Sequence, residues 1–257
     1  MTAPTLVLVG GGWHVPASYS KLSNALKEAG YDVHVPRHPS TDEARPPIND
    51  LATDTEALRK YVGDLVEEGR TVVVAMHSYG GQVGTNALWD MDLKTRARQN
   101  LSGGISRLIY MCAFALPEGG SMIQKVEEMG DGYLMPIAFD FADDGSVVPR
   151  DPQTILIGPS DDEEVDPYLA TLVRWNGKCM HDSITHCAWR HIPVTYLSTT
   201  QDFTIPVHYQ ESMVDVIRGQ GVEVQAIQIE SGHCPNLTKT NEVVDAINNA
   251  IGWTPTK

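Results

Sequence analysis

Val72–Gly81 reads VVVAMHSYGG, and with Thr71 before it the segment opens as a run of β-formers, TVVVAM. The spacing predicts a buried strand that enters a tight turn at His77-Ser78-Tyr79 and leaves as a helix from about Tyr79 to Trp89. Such a turn lifts a serine hydroxyl clear of the sheet, and small residues must follow it because strand and helix approach closely. Gly80 and Gly81 meet that need. The helix N-terminus then lies under Ser78 and favours negative charge developing there. In the usual pattern, G-x-S-x-G, a glycine stands two residues before the serine; here it is Met76, whose side chain must find room beside the helix.

The segments on either side repeat the same grammar. Thr5–Val9 (TLVLV) predicts a strand that ends in Gly10-Gly11-Gly12, and Ala17–Ala29 a helix that stops at Gly30. Tyr31–Val35, Ile105–Cys112, Ile192–Ser198 and Val222–Ile229 read as further strands, and Ile48–Glu68, Val207–Arg218 and Leu237–Ile251 as helices. Alternating strands and helices, with strands apolar throughout, imply a six-stranded, mainly parallel α/β sheet covered on both faces. Ala113–His191 breaks the alternation with Asp, Pro and aromatics. It suggests one domain over 1–257 carrying a lid insertion at about 115–190, above the carboxyl ends of the strands where ligands bind.

A serine is not nucleophilic near neutrality unless a base accepts its proton and an acid orients that base. His233, in IESGHCP between the last strand and the last helix, is placed to be the base. His208, at a helix start, reads as structural or exposed. Asp202, in TYLSTTQDFTIP after the fifth strand, is the expected acid; Glu118, after the fourth, is the alternative. Backbone N–H groups of Gly12 and of Tyr79 are the expected oxyanion donors. A dinucleotide site is not expected from GGGWHV: Val15 stands where a small residue is needed, and Pro36-Arg37-His38, with no acid, follows the second strand.

The chain has 257 residues and a formal net charge of −14, which disfavours nucleic acid and anionic membrane as partners. Its apolar fraction of 42% is enough for a sizeable core. Cys112, Cys179, Cys187 and Cys234 show no metal-ligand spacing, although a disulfide is left open. His181 and His186, five apart, do not share a helix face, so no metal is expected. Lacking a signal-like start or a membrane-length apolar run, the chain is expected to be cytoplasmic.

Taken together, LVLVGGGWHVPASYSKL, VVVAMHSYGG, AWRHIPVTYLSTTQDFTIP and SGHCPNLTKTNEVVDAI resemble the compact α/β-hydrolases that include plant methylesterases and hydroxynitrile lyases, with their fungal and bacterial relatives. The resemblance spans nearly the whole chain, the lid least. It implies the α/β-hydrolase fold, a Ser78–Asp202–His233 triad and Gly12 as oxyanion donor. The chain departs from the pattern at Gly10, where many members have His, and at Gly11 and Cys234, where the lyase branch has Thr and Lys; cyanohydrin cleavage is therefore not expected.

The expectation is a serine esterase or lactonase acting on a small apolar or aromatic molecule through an acyl-enzyme, without a cofactor, with a homodimer left open. Proton-transfer chemistry of lyase, isomerase or cyclase type by the same triad is the alternative, and a binding protein on an inactive scaffold a third reading. Trp13, His14, Trp175 and His181 are the expected substrate contacts, with Tyr133, Met135, Phe139, Phe141, His186 and Trp189 as further aromatic or apolar candidates.

Overall fold

A computed structural model describes residues 3–160 and 163–254. Strand β1 (Thr5–Val9) leads through the glycine loop and a 3₁₀ turn at Pro16–Tyr19 into α1 (Ser20–Glu28) and β2 (Asp32–His34). Helix α2 (Leu51–Glu67) starts at Asp50, whose carboxylate accepts from the N–H groups of Ala52 and Thr53. Strand β3 (Thr71–His77) and α3 (Tyr79–Ala87) follow, then α4 (Leu93–Arg98) and β4 (Gly104–Met111).

Between β4 and the next long strand the chain forms α5 (Met122–Glu128), α6 (Met135–Ala138), β5 (Phe139–Phe141), β6 (Ser146–Pro149), α7 (Val165–Leu169) and β7 (Trp175–Asn176). It returns to the main sheet as β8 (Val194–Thr199), then α8 (Val207–Gly219), β9 (Val224–Ile229), α9 (Pro235–Thr238) and α10 (Thr240–Ile251). Gly252, in the left-handed region at φ 65°, stops α10.

The main sheet has the order β2-β1-β3-β4-β8-β9 and is parallel throughout. β1 and the body of β3 read as unbroken apolar runs because both faces are covered, whereas the edge strands β2 (DVH) and β9 (VQAIQI) leave polar residues exposed. Along β1 and β3, Val7, Val9, Val72, Val74 and Met76 join the core under α2, α3 and α8. Leu6, Leu8, Val73 and Ala75 alternate with them and join the core under α1 and α10. The insertion carries its own three-stranded antiparallel sheet, β5-β6-β7, built from strands too short and too mixed in polarity to show a period. Its buried residues Phe139, Val147 and Trp175 merge with the core on the α2/α3 side.

The Met76 departure is absorbed locally. Met76 is fully buried, and a β-carbon on Gly84 of α3 would lie 2.3 Å from its Sδ. The room that a methionine needs two before the serine is provided by a glycine six residues after it. All four cysteines are buried free thiols, and Cys112 lies in the core as the sequence suggests. Among the described residues no helix is long and apolar enough to cross a membrane.

Candidate active site

Ser78 sits between β3 and α3 with φ 54° and ψ −123°, a conformation costly for a residue with a side chain and held by its surroundings. Its N–H donates to the Met111 carbonyl (3.3 Å), and its own carbonyl accepts from the N–H groups of Gly81 (3.0 Å) and Phe114 (3.1 Å). The two glycines after it are required by contact. A β-carbon on Gly80 would lie 2.5 Å from the carbonyl oxygens of Val9 and Gly10, and one on Gly81 2.8 Å from that of Phe114.

The strand ends bring three distant residues together. Asp202 lies in the β8–α8 loop and His233 in the β9–α9 loop, both buried. His233 Nδ1 is 2.8 Å from Asp202 Oδ2, and its Nε2 is 2.9 Å from Ser78 Oγ. Asp202 Oδ1 accepts from the N–H groups of Thr204 and Ile205 (2.8 Å each), and Oδ2 also accepts from the Thr199 hydroxyl (2.9 Å). An acceptor-only carboxylate in that setting takes the Nδ1–H of His233, which leaves the Nε2 lone pair facing the Ser78 hydroxyl.

The glycine loop flanks the serine. His14 N–H reaches back to the Gly11 carbonyl (3.4 Å), and Trp13 at the turn has φ 65°. The Trp175 ring lies against Gly12, where a β-carbon would come within 2.7 Å of it, and against the Tyr79 ring at 4.6 Å. Tyr79 is the first residue of α3, so its N–H is one that a helix leaves without an intrahelical acceptor. Behind it, the Tyr79 hydroxyl donates to the wholly buried Asp54 (2.8 Å), which also accepts from the Ser40 N–H and hydroxyl.

Ser78 opens onto a narrow cavity lined by Trp13, Phe114, Met122, Met135, Phe139 and Trp175, with Gly12, Tyr79, Ile123, Val126, Met180 and Thr204 completing the wall. The Thr204 hydroxyl is turned away to the Ile155 carbonyl (2.9 Å), so Ser78 is the polar side chain left to face a ligand. The open space is about 30 Å³, so the cavity is a constricted one.

Not every residue singled out in the sequence is at this cavity. Trp13, Trp175, Met135 and Phe139 line it. His181 does not: it is exposed at the end of the 3₁₀ turn Gly177–Met180, so its expected contact with substrate is corrected. His14 is buried behind the loop, where its Nδ1–H donates to the Gly12 carbonyl (2.6 Å) and burial depresses its pKa to about 3. Tyr133, Phe141 and His186 are exposed, and Trp189 is buried with its indole N–H on the Leu116 carbonyl. Glu118 pairs with Arg190 at the surface, and His208 is exposed.

Residues the sequence did not single out complete the surroundings. Phe114, Met122, Ile123, Val126, Met180 and Thr204 line the cavity, while Tyr19, His77 and Asp54 lie behind the serine and the loop. Donor atoms of His77, Cys112 and His233 fall within 4.8 Å of one another, a spacing a metal ion can use. Each is already engaged, though: both His77 nitrogens, both His233 nitrogens and the Cys112 thiol, which donates to the His233 carbonyl.

With the geometry in place, similarity to other proteins becomes informative. The sequence model described as the alpha/beta hydrolase family matches residues 6–246. Alpha/beta hydrolase nvfD of Aspergillus novofumigatus is 29% identical over 255 residues, covering 98% of both chains. Probable hydrolase R7 of a Phoma species is 26% identical over 263 residues, covering 98% of this chain and all of that one. Among solved structures, the pyrethroid hydrolase of Sphingobium faniae JZ-2 superposes with a TM-score of 0.75 at 17% identity, covering 96% and 97% of the two chains. At that identity the likeness concerns the fold.

Proposed function

This chain belongs to the alpha/beta hydrolase family, and from that premise we propose that it is a serine hydrolase cleaving a carboxylic ester or lactone of a small apolar or aromatic molecule. The observation that carries the proposal is the continuous hydrogen-bonded line from Asp202 through His233 to Ser78, ending at a cavity with apolar walls.

In the proposed reaction Ser78 Oγ attacks the carbonyl carbon while His233 Nε2 accepts the hydroxyl proton. Asp202 holds the imidazole tautomer and stabilises the imidazolium. The carbonyl oxygen, now an oxyanion, is met by the N–H groups of Gly12 and Tyr79; one such donor is worth roughly 10²–10³ in rate. Collapse breaks the ester C–O bond, and His233 returns the proton to the leaving oxygen. A water that gives its proton to His233 then attacks the acyl-enzyme, freeing the acid and restoring Ser78.

The cavity's composition supports the substrate class. Aromatic and aliphatic side chains offer contact area, the three methionines Met122, Met135 and Met180 adapt to shape, and among the described residues no charged group lines the wall to bind a carboxylate or phosphate. The insertion carrying α5, α6 and β5 supplies Met122, Val126, Met135 and Phe139 to the cavity wall, and in this reading it is the lid over the substrate.

Two features speak against cyanohydrin cleavage of the lyase type. Cys234 is fully buried beside His14 with its thiol pKa raised by burial to about 12, so a neutral thiol stands where the lyase branch has a lysine. At Gly11 a β-carbon would already lie 3.0 Å from Ser78 Cβ. Four buried free thiols suit a reducing compartment, which favours a cytoplasmic enzyme.

The test is labelling with a fluorophosphonate, followed by mapping the adduct by mass spectrometry. The expected result is an adduct on Ser78 that is largely lost in His233→Ala. Absence of any adduct under conditions that label a known esterase would refute the proposal.

A further inference from the structure

Three glycines in a row have no side chains to fix their peptide planes, and a planar amide that rotates there carries the Gly12 N–H with it. The Gly11–Gly12 peptide, which carries that N–H, is held only by the His14 N–H on the Gly11 carbonyl (3.4 Å), but the peptide planes on either side of it are held by buried side chains. The Gly10 carbonyl accepts from His38 Nε2 (2.9 Å), and the Gly11 N–H of the same peptide donates to the Tyr19 hydroxyl (2.8 Å). The Gly12 carbonyl accepts from His14 Nδ1 (2.6 Å).

Tyr19 does more than end a hydrogen bond. A phenol has a single proton, and since its oxygen accepts from Gly11, that proton is directed to His77 Nδ1 at 2.7 Å. Nδ1 of His77 is therefore the acceptor and Nε2 carries the ring proton, which goes to the His233 carbonyl at 2.8 Å. The line has an amide N–H at one end and a carbonyl at the other, so its direction is fixed. All of it is buried: Tyr19 and His77 are each 1% exposed and His233 0%. Desolvation, reinforced by the neighbouring His233, depresses the His77 pKa well below the usual imidazole value, in keeping with the neutral ring this direction requires.

We propose that Tyr19, through His77, is a positioning residue that locks the oxyanion loop and the base loop to each other beneath Ser78; the proposal rests on the serine-hydrolase reading above. His77 is the residue before Ser78, so the line passes directly under the nucleophile. The departure at Gly10 belongs to the same arrangement. A β-carbon there would lie 3.1 Å from Tyr19 Cε2, so the phenol ring occupies the space into which a larger residue at position 10 would grow.

The test compares Tyr19→Phe, His77→Gln and His77→Leu with wild type, each rate expressed per active site titrated with fluorophosphonate. Two readouts are used: kcat and KM on an aryl ester, and affinity for an arylboronic acid, whose serine adduct is tetrahedral and anionic. In Tyr19→Phe, kcat is expected to fall about 10- to 100-fold, less than or comparable to loss of a whole oxyanion donor. KM should stay within about threefold while boronate affinity falls in step with kcat/KM, the signature of an interaction made in the transition state. His77→Gln, whose amide keeps an acceptor and a donor, should retain more activity than His77→Leu.

A Tyr19→Phe enzyme with unchanged kcat per titrated site and unchanged boronate affinity would overturn the proposal, whatever its thermal stability. Equal loss in the two His77 variants would overturn the directional line even if Tyr19→Phe proved insoluble. A wild-type enzyme that takes no fluorophosphonate would instead refute the hydrolase reading itself, and the positioning role with it.

Discussion

Asp202→Asn is the most searching single substitution, because the structure dictates how the new amide must sit. Asp202 Oδ1 receives two backbone N–H groups, from Thr204 and Ile205 at 2.8 Å each. An NH₂ group turned that way would face both donors and leave them buried without acceptors, at roughly 1–3 kcal/mol each. The amide oxygen therefore takes the Oδ1 position and the NH₂ group the Oδ2 position, opposite His233 Nδ1 and the Thr199 hydroxyl, which can rotate to accept, while Gln210 Nε2 gives up its long bond there (3.4 Å) and keeps the Ile205 carbonyl (2.7 Å). The amide then donates to Nδ1, which moves the ring proton to Nε2. An Nε2–H facing Ser78 Oγ at 2.9 Å cannot accept the serine proton. In the serine-protease template this exchange of tautomer costs about 10⁴ in kcat, or about 5.5 kcal/mol at about 1.4 kcal/mol per decade.

The assay is the second-order rate of fluorophosphonate labelling at Ser78, with circular dichroism and Tm alongside. We expect a loss of about 10³–10⁴ in rate with a nearly unchanged fold, since the amide finds partners at both ends. A folded Asp202→Asn protein labelled at more than about a tenth of the wild-type rate would refute the assignment of Asp202 as the orienting acid, since a wrong tautomer should cost several decades.

Ser78→Ala should lose both labelling and ester turnover while keeping its melting transition; retained turnover would place the nucleophile elsewhere. Gly84→Ala drives a β-carbon to within 2.3 Å of Met76 Sδ and should cost about 1–3 kcal/mol. Adding Met76→Ala should recover part of that loss, whereas strict additivity in denaturant titrations would deny the pairing. Acid should destabilise the fold through His14, whose pKa is depressed by burial to about 3 from an ordinary 6.5. The unfolded chain takes the proton first, so this stability is complete above pH 6.5 and is lost as pH falls toward 3. At pH 5 the loss from His14 alone is about 2 kcal/mol, and His77 acts in the same direction. Urea titrations at pH 7 and 5 should show a smaller drop in His14→Gln than in wild type; an identical drop would exclude His14 as a source.

The main sheet is legible in the sequence because strands covered on both faces must be largely apolar: β1 and β3 are nearly so throughout, while β4 and β8 keep an apolar majority or alternation around Ser106-Arg107 and Thr195, Ser198 and Thr199. Ser78, Asp202 and His233 stand out because each occupies the first loop after a strand, where a parallel sheet gathers its loops at one edge. The insertion is not legible in the same way. Strands β5 and β7 have three and two residues, too few for a period, and their register comes from pairing with β6. His181 illustrates the loss: a histidine among aromatics suggests a binding wall, yet the 3₁₀ turn that ends beside it points the ring to solvent. Tyr19 and His77 are 58 residues apart and Tyr79 and Asp54 are 25 apart, and such pairings carry no local pattern. Gly10 and Met76 are signals of another kind. Each departs from the usual motif, and each marks a place where one residue, Tyr19 or Gly84, fits closely against the departure.

Trp175 carries a consequence for protein engineering. It sits on the two-residue strand β7 of the insertion, yet its ring covers Gly12, packs at a tilt against Tyr79 and donates from its indole N–H to Ser40 Oγ (3.0 Å), which in turn bonds Asp54. Residues 113–191 are thus not a cassette that can be traded between scaffolds to change specificity. A chimaera that imports a foreign insertion removes a wall from the region where the negative charge of catalysis would gather, and must bring its own aromatic plate cut to fit a glycine. Libraries aimed at new substrates should hold Trp175, Gly12 and Tyr79 as one inherited unit and vary the face formed by Met122, Val126 and Met135.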